Sequence, residues 1–339
     1  MHYNKYQLKM RIKKKFLQLT KKTVPHGTED RLVKYLPKGY QKDKFNNYFL
    51  QIGESPSTMF TCHLDTACRQ LVDVKHTFDG KYIKTDGTSI LGADDKAGMC
   101  VILYMIEKKV PGLYYFFIGE EVGCIGSSDL SEEFEHKNIT KVVSFDRRGT
   151  NSIITRQIYG KCCSNKFALA LSEAFKKADP TLNLKPDDTG LITDSAQFMD
   201  LVTECTNISV GYYNEHTVNE KQDIEYLTKL CKAASRIDWE NLPVSTSKKD
   251  DIKIDDLNLD FDFNLDDLDL DLETTDEMRS LKIQEIEIES KIILEFLKTQ
   301  YYNPKSISWD GLECYCEDVE GRSVYIGSRE ELSYFIDEL

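Results

Sequence analysis

Thr58-Met59-Phe60-Thr61-Cys62-His63-Leu64-Asp65-Thr66 is an apolar run that stops on a histidine and an aspartate. Its first five residues read as a buried strand. His63 and Asp65 then stand at the strand's C-terminal edge, two residues apart, so both side chains leave the same face. In open α/β sheets, ligands bind at that edge. Taken alone, a His-x-Asp pair is an ordinary polar strand end. Its meaning depends on what other segments bring to the same place.

Outward from this stretch, strands and helices alternate. Upstream, residues 6–22 predict a basic amphipathic helix with Leu8, Ile12, Phe16 and Leu17 at helical spacing. We read it as a surface helix packed by its apolar stripe. Residues 29–36 predict a second helix capped by Thr28, and residues 47–52 a strand paired with the opening stretch around the 53–57 turn. Downstream, residues 97–108 predict an apolar helix. Residues 113–118 form an almost fully apolar strand of the kind buried on both faces of a parallel sheet. Further strands are expected at 141–145, 153–158 and 205–210, and further helices near 127–130 and at 165–177, 193–199 and 223–237. The pattern predicts an α/β fold: a mixed, largely parallel central sheet with helices on both faces in three layers.

From about residue 246 the composition changes. Acidic and apolar residues alternate through residues 250–272 in low-complexity sequence. The expected organisation is a domain over 1–245, an acidic linker over 246–275 and a small α+β module over 276–339. That module is expected to hold a helix at 277–299, strands at 313–316 and 323–326, and a terminal helix from Glu330. Residues 250–339 are candidates for a protein partner or for self-association.

The 339 residues carry a net charge of −13, which argues against nucleic acid as the main partner, since phosphate contacts need clustered Lys and Arg. Hydrophobic residues make up 40%, enough for a sizeable core. No signal-peptide core and no membrane-spanning run is visible. The ten irregularly spaced cysteines therefore read as reduced thiols in a cytoplasmic protein.

Five polar clusters fall at or just after strand ends: His63/Asp65, Asp94/Asp95, Glu120/Glu121, Asp146 and His216. Carboxylates that close repel strongly unless cations neutralise them. Two imidazoles with several carboxylates suit zinc, and also cobalt or manganese. Two divalent ions roughly 3.5–4 Å apart can share a carboxylate and acidify a water. A further carboxylate can take that water's proton and pass it to a leaving amine. The pair Glu120-Glu121 can supply one base and one ligand if it continues the extended chain.

His63-x-Asp65, Gly92-Ala93-Asp94-Asp95-Lys96, Gly119-Glu120-Glu121-x-Gly123, Asp146 and His216 resemble, in order and spacing, the motifs of the co-catalytic zinc exopeptidases. That superfamily holds di-zinc aminopeptidases, tripeptidases of the peptidase T type and related deacylases. The resemblance covers about residues 25–240 and makes that region a di-metal peptidase domain. It implies that His63 and Asp146 bind one ion, Glu121 and His216 the other, and that Asp94 bridges both. It implies Asp65 as the group that fixes the His63 ring, Glu120 as general base, and a cis Asp94–Asp95 peptide. The tripeptidases insert a lid domain between the Asp and final His ligands. Only residues 147–215 lie there, and they read as continuing catalytic domain, which favours the compact aminopeptidase plan. The tail after about 245 has no counterpart in the resemblance.

Candidate substrate contacts are Arg147 and Arg148, for a carboxylate or acidic side chain, and Asp194, for an amine. The alternatives are a salt bridge to neighbouring carboxylates and a helix cap. Tyr212, Tyr213 and Glu215 are pocket candidates beside His216. The leading expectation is a metal-dependent aminopeptidase on short peptides. The others are a deacylase or isopeptide hydrolase with the same centre, and a catalytically silent protein that binds partners through its acidic tail.

Overall fold

The computed structural model describes residues 2–158, 160–245, 304–310, 313–318 and 323–328. The chain divides into two units, residues 1–249 and 250–339.

In chain order, the first unit opens with α1 (His2–Leu19) and a 3-10 turn, Glu29–Tyr35. β1 (Gln41–Lys42), β2 (Tyr48–Ile52) and β3 (Thr58–His63) follow, then the short strands β4 (His76–Phe78) and β5 (Tyr82–Thr85). α2 (Ala93–Glu107) leads to β6 (Gly112–Phe117), α3 (Ile125–Glu132) and β7 (Lys141–Arg147). Next come β8 (Ser152–Ile154), a two-residue hairpin of β9 (Arg156–Gln157) and β10 (Gly160–Lys161), α4 (Asn165–Ala178) and β11 (Lys185–Asp187). β12 (Glu204–Ser209), β13 (Tyr212–Tyr213), β14 (Lys221–Asp223) and α5 (Ile224–Ala234) complete the unit.

Eight strands form the central sheet in the order β1-β2-β6-β3-β7-β12-β8-β11. Its middle, β6-β3-β7-β12, is parallel. The C-terminal ends of these strands therefore share one edge, and His63 and Asp146 both sit there. Strand alternation divides the core. Phe60, Tyr114, Phe116, Val143 and Phe145 face one side, where α1, α2, α4 and α5 pack. Met59, Leu113, Tyr115, Phe117 and Val142 face the other, against α3 and the 3-10 turn Asp194–Phe198. Trp239 closes the first layer, with its ring 4.9 Å from Phe60 and 6.1 Å from Phe175. Each such buried side chain contributes about 1.5–3 kcal/mol of transfer free energy.

α2 lies unusually close to the sheet. A Cβ on Gly98 would fall 1.9 Å from the Phe145 carbonyl oxygen and 2.5 Å from the Asp95 carboxylate. Only a residue without a side chain allows that approach. α4 and α5 start on conventional caps: Ser164 Oγ accepts the Phe167 N–H at 3.1 Å, and Asp223 accepts those of Glu225 and Tyr226.

Several expectations need correction. The 29–36 element is a 3-10 helix, and Thr28 does not cap it through its side chain, because its hydroxyl donates to the Pro25 carbonyl. The expected 153–158 strand is broken at Thr155, whose N–H turns to Asp187. The 193–199 helix is a 3-10 turn without a side-chain cap. Residues 147–215, Tyr159 aside, add β8, β11 and β12 to the same sheet and α4 to its face.

The second unit contains a three-stranded antiparallel meander: β15 (Pro304–Asp310), β16 (Glu313–Asp318) and β17 (Ser323–Ser328). The sequence reading missed the first of these, which opens on a proline, a residue that cannot donate to a ladder. The expected linker, the 277–299 helix and the helix from Glu330 lie outside the described residues.

Candidate metal centre

His63 is the last residue of β3 and is fully buried. Its Nδ1 lies 3.2 Å from Asp65 Oδ1. Asp65 also accepts the Glu120 N–H on Oδ1 and the Glu121 N–H on Oδ2, both at 3.1 Å. One carboxylate thus orients the ring and pins the turn that carries the two glutamates. The Nζ of Lys96, buried beneath, donates to the Asp65 carbonyl and to Thr66 Oγ1. Burial works against charge on Asp65, but the His63 ring and the Lys96 cation outweigh it and hold the carboxyl below its usual range.

Asp94 sits between two imidazoles. Its Oδ1 is 2.9 Å from His63 Nε2, and its Oδ2 is 3.2 Å from His216 Nε2. The Asp94–Asp95 peptide bond is cis. Asp95 points elsewhere: its Oδ1 accepts the Gly98 N–H beneath the helix, and its Oδ2 has no hydrogen-bond partner among the described residues. Asp146 Oδ1 stands 3.6 Å from His63 Nε2, while Thr193 Oγ1 donates to its Oδ2 at 2.7 Å. Glu121 Oε2 is 2.9 Å from His216 Nε2, and the Ala67 N–H steadies its other oxygen at 3.0 Å. Glu120 Oε2 lies 3.8 Å from His63 Nε2.

Glu120 and Glu121 do not alternate on an extended chain, as the sequence suggested. They form a 3-10 turn after Gly119, which adopts a left-handed φ of 64°. The turn still separates them, with Glu120 towards His63 and Glu121 towards His216.

The described residues thus place donor atoms of His63, Asp94 and Glu121, and of His63, Asp95 and Asp146, within 4.8 Å of one another. The electrostatics show what such a cluster lacks. Burial opposes charge on both imidazoles, yet the surrounding carboxylates overcome it. His216 is pushed up to about 12, mainly by Glu121 and Asp94, and His63 rises well above its usual value beside Glu120. Burial raises Asp146 to about 6 and lifts Glu120 far above the usual carboxylate range. Protons are drawn in to supply positive charge that the side chains do not provide. A nitrogen and oxygen donor set with this deficit suits divalent cations.

The remaining candidates are distributed around this centre. Arg148 pairs with Glu215 at 3.2 Å, and Arg147 donates to Thr189. Asp194 is 1% exposed and accepts from Ser127 Oγ at 2.6 Å, so it neither caps a helix through its side chain nor lines an open pocket. Tyr213 is not brought to the ligand cluster. Neighbours on β13 point to opposite faces; Tyr213 packs against Tyr82, while Tyr212 donates to the Asp146 carbonyl at 2.7 Å. The sequence reading gave Thr193, Tyr212 and Lys96 no part in orienting this cluster. Only a hairpin register can separate Tyr212 from Tyr213, and the register is set by β14.

With the geometry described, comparison with known proteins is informative. Residues 49–242 match Peptidase family M28. The chain belongs to that family. Membership makes the matched region a peptidase domain. A 115-residue stretch is 33% identical to the uncharacterized protein YqjE of Bacillus subtilis, covering 32% of this chain and 31% of that one. The chain thus spans about a third of the curated relative it matches. Among solved structures, aminopeptidase PepT of Bacillus cereus ATCC 10987 superposes with a TM-score of 0.58 at 17% identity, over 67% of this chain and 98% of that one. A tripeptidase of Staphylococcus aureus gives 0.57 at 17%, over 68% and 97%. The TET1 peptidase of Pyrococcus horikoshii, which can assemble into a tetrahedron or a large octahedral shell, gives 0.53 at 16%, over 66% and 99%. These likenesses show the shared three-layer fold with its mixed, largely parallel sheet. Among the described residues, no helix is long and apolar enough to cross a membrane.

Proposed function

We propose that this M28 chain is an aminopeptidase on short peptides, with a centre built for two divalent cations, zinc first and cobalt or manganese next. One observation supports this most: Asp94 turns one carboxylate oxygen to each of two imidazoles, at 2.9 and 3.2 Å. His63 and Asp146 would hold one ion, His216 and Glu121 the other, and Asp94 both. Ions bound there supply Lewis acidity and make water acidic enough to act near neutral pH.

The chain's own residues do the rest. Asp65 accepts the Nδ1 proton of His63 and so leaves Nε2 free to face a cation. Glu120, half-buried and 3.8 Å from the His63 ring, accepts a proton from the attacking water and returns it to the leaving amine. Arg147 and Arg148 remain candidates for an acidic side chain or carboxylate of the substrate. A cytoplasmic setting belongs to this reading; the eight free cysteines among the described residues fit a reducing compartment. So does the division of labour in which 1–245 is catalytic, 246–275 links and 276–339 recruits a partner or a second copy.

The test is hydrolysis by metal-loaded protein of matched peptides with free and acetylated N-termini. Cleavage of the free form alone is expected. Cleavage of the acetylated form alone points to a deacylase, and none of either by protein carrying two ions points to the silent reading. Glu120→Gln should lower turnover by about 10²–10⁴-fold while both ions stay bound. A near-normal rate removes Glu120 as the base.

A further inference from the structure

Glu220 is 1% exposed and lies four residues beyond His216. Its Oε2 accepts the N–H groups of Leu91 and Gly92 at 2.8 and 2.7 Å, and its Oε1 accepts that of Asp94 at 3.0 Å. Three consecutive-segment amides thus converge on a single carboxylate.

The segment needs such a partner. The first N–H groups of a helix have no acceptor within it. Gly92 has a left-handed φ of 69°, and Asp94 and Asp95 have non-helical φ/ψ, so helical geometry does not fix Asp94. The Asp94 side chain must nevertheless meet two imidazoles on different elements. One of these, His216, is carried by the same loop as Glu220.

We propose that Glu220 is a positioning residue: it grips the amides of Leu91, Gly92 and Asp94 from the His216 loop, and thereby holds Asp94 between the two halves of the metal centre. The inference rests on the two-ion reading above. Glutamine at this position keeps the volume but replaces one acceptor oxygen with an NH2 group. Whichever way the amide turns, at least one backbone N–H then faces a donor. Glu204 is a matched control at a distance from the centre. It is fully buried and also accepts three hydrogen bonds, from Ser164 N at 2.6 Å, Ser164 Oγ at 2.8 Å and Ser245 N at 2.7 Å.

The experiment is a cobalt titration of chelator-stripped full-length protein, followed by visible absorption and by the magnetic coupling between the two ions in electron paramagnetic resonance. Wild type should take up two ions that couple. Glu220→Gln should bind the second ion about 10–100-fold more weakly and lose the coupling. Glu220→Asp keeps the charge with a shorter reach and should recover part of both. Glu204→Gln should lower thermal stability and leave the cobalt signals unchanged. Wild-type titration and coupling in Glu220→Gln overturn the proposal, as does equal weakening in Glu204→Gln. If Glu220→Gln does not fold, Glu220→Asp is read in its place; failure of both to fold assigns the carboxylate to the fold itself and overturns the proposal. Fewer than two cobalt ions on wild type overturns the two-ion reading, and this inference with it.

Discussion

The two halves of the proposed centre are made of the same donor types but supported in different ways. His63 and Asp146 stand on neighbouring strands of the central sheet, with side chains 0% and 8% exposed. Each is braced, His63 by Asp65 and Asp146 by Thr193. His216 is 30% exposed and sits on the loop between β13 and β14 with a positive φ of 61°. Its partner Glu121 belongs to a turn. A strand end fixes a ligand through the packing of the whole sheet, whereas a loop fixes it through a few individual bonds. The first half is therefore built into the core, and the second is attached to it.

Alanine substitutions should expose that contrast most strongly. His63→Ala should remove metal from both halves and lower stability by about 3–5 kcal/mol, since it leaves buried carboxylates unpaired. His216→Ala should keep one ion and fold normally. Metal analysis with thermal melts checks both; equal losses break the comparison.

A second measurement concerns Asp194, which lies behind the buried half. Burial pushes it up to about 7, against the opposing His63 ring. Its folded value thus exceeds its usual 3.8, so its contribution to stability is complete below about pH 4 and is lost as pH rises through 7. Chelated protein should therefore lose stability from pH 4 to 8, and Asp194→Asn should remove a part on the order of 2–4 kcal/mol. Asp146, raised to about 6, adds a trend of the same sign. A flat profile in the parent protein would count against burial of these acids.

Asp65→Asn should weaken the ion of the buried half by about 10–100-fold, read by competition with a chelator, with a smaller effect on the other. The smallest effect is expected at the exposed Arg148. Arg148 is 58% exposed, so Arg148→Ala should change stability by less than about 0.5 kcal/mol. Any sizeable change in KM for acidic peptides would then report substrate contact, not folding.

The same contrast explains what could be read from the sequence. An apolar run that stops on a polar residue reveals a strand end, so His63 and Asp146 were legible as strand ends. The order of the strands was not: residues 47–52 were expected to pair directly with β3, but β6 lies between them and pairs with both, since a long-range parallel partner leaves no local signal. Glu121 and His216 stood out as polar residues after strand ends, but their pairing with each other came only from family spacing, because turns and loops have no periodicity. Glu220 left no local signal, since its partners lie 126 to 129 residues away. Tyr212 and Tyr213 are indistinguishable until a hairpin register assigns one to each face.

Gly98 has a consequence for ion size. Its bare Cα lets α2 rest directly on the Phe145 carbonyl. Asp94 stands at the start of that helix, and Asp146 immediately follows Phe145. The missing side chain at residue 98 therefore limits how far apart those two carboxylates stand. In the proposed two-ion centre a wider gap would suit a larger cation, so the choice of ion would depend partly on a residue that touches none.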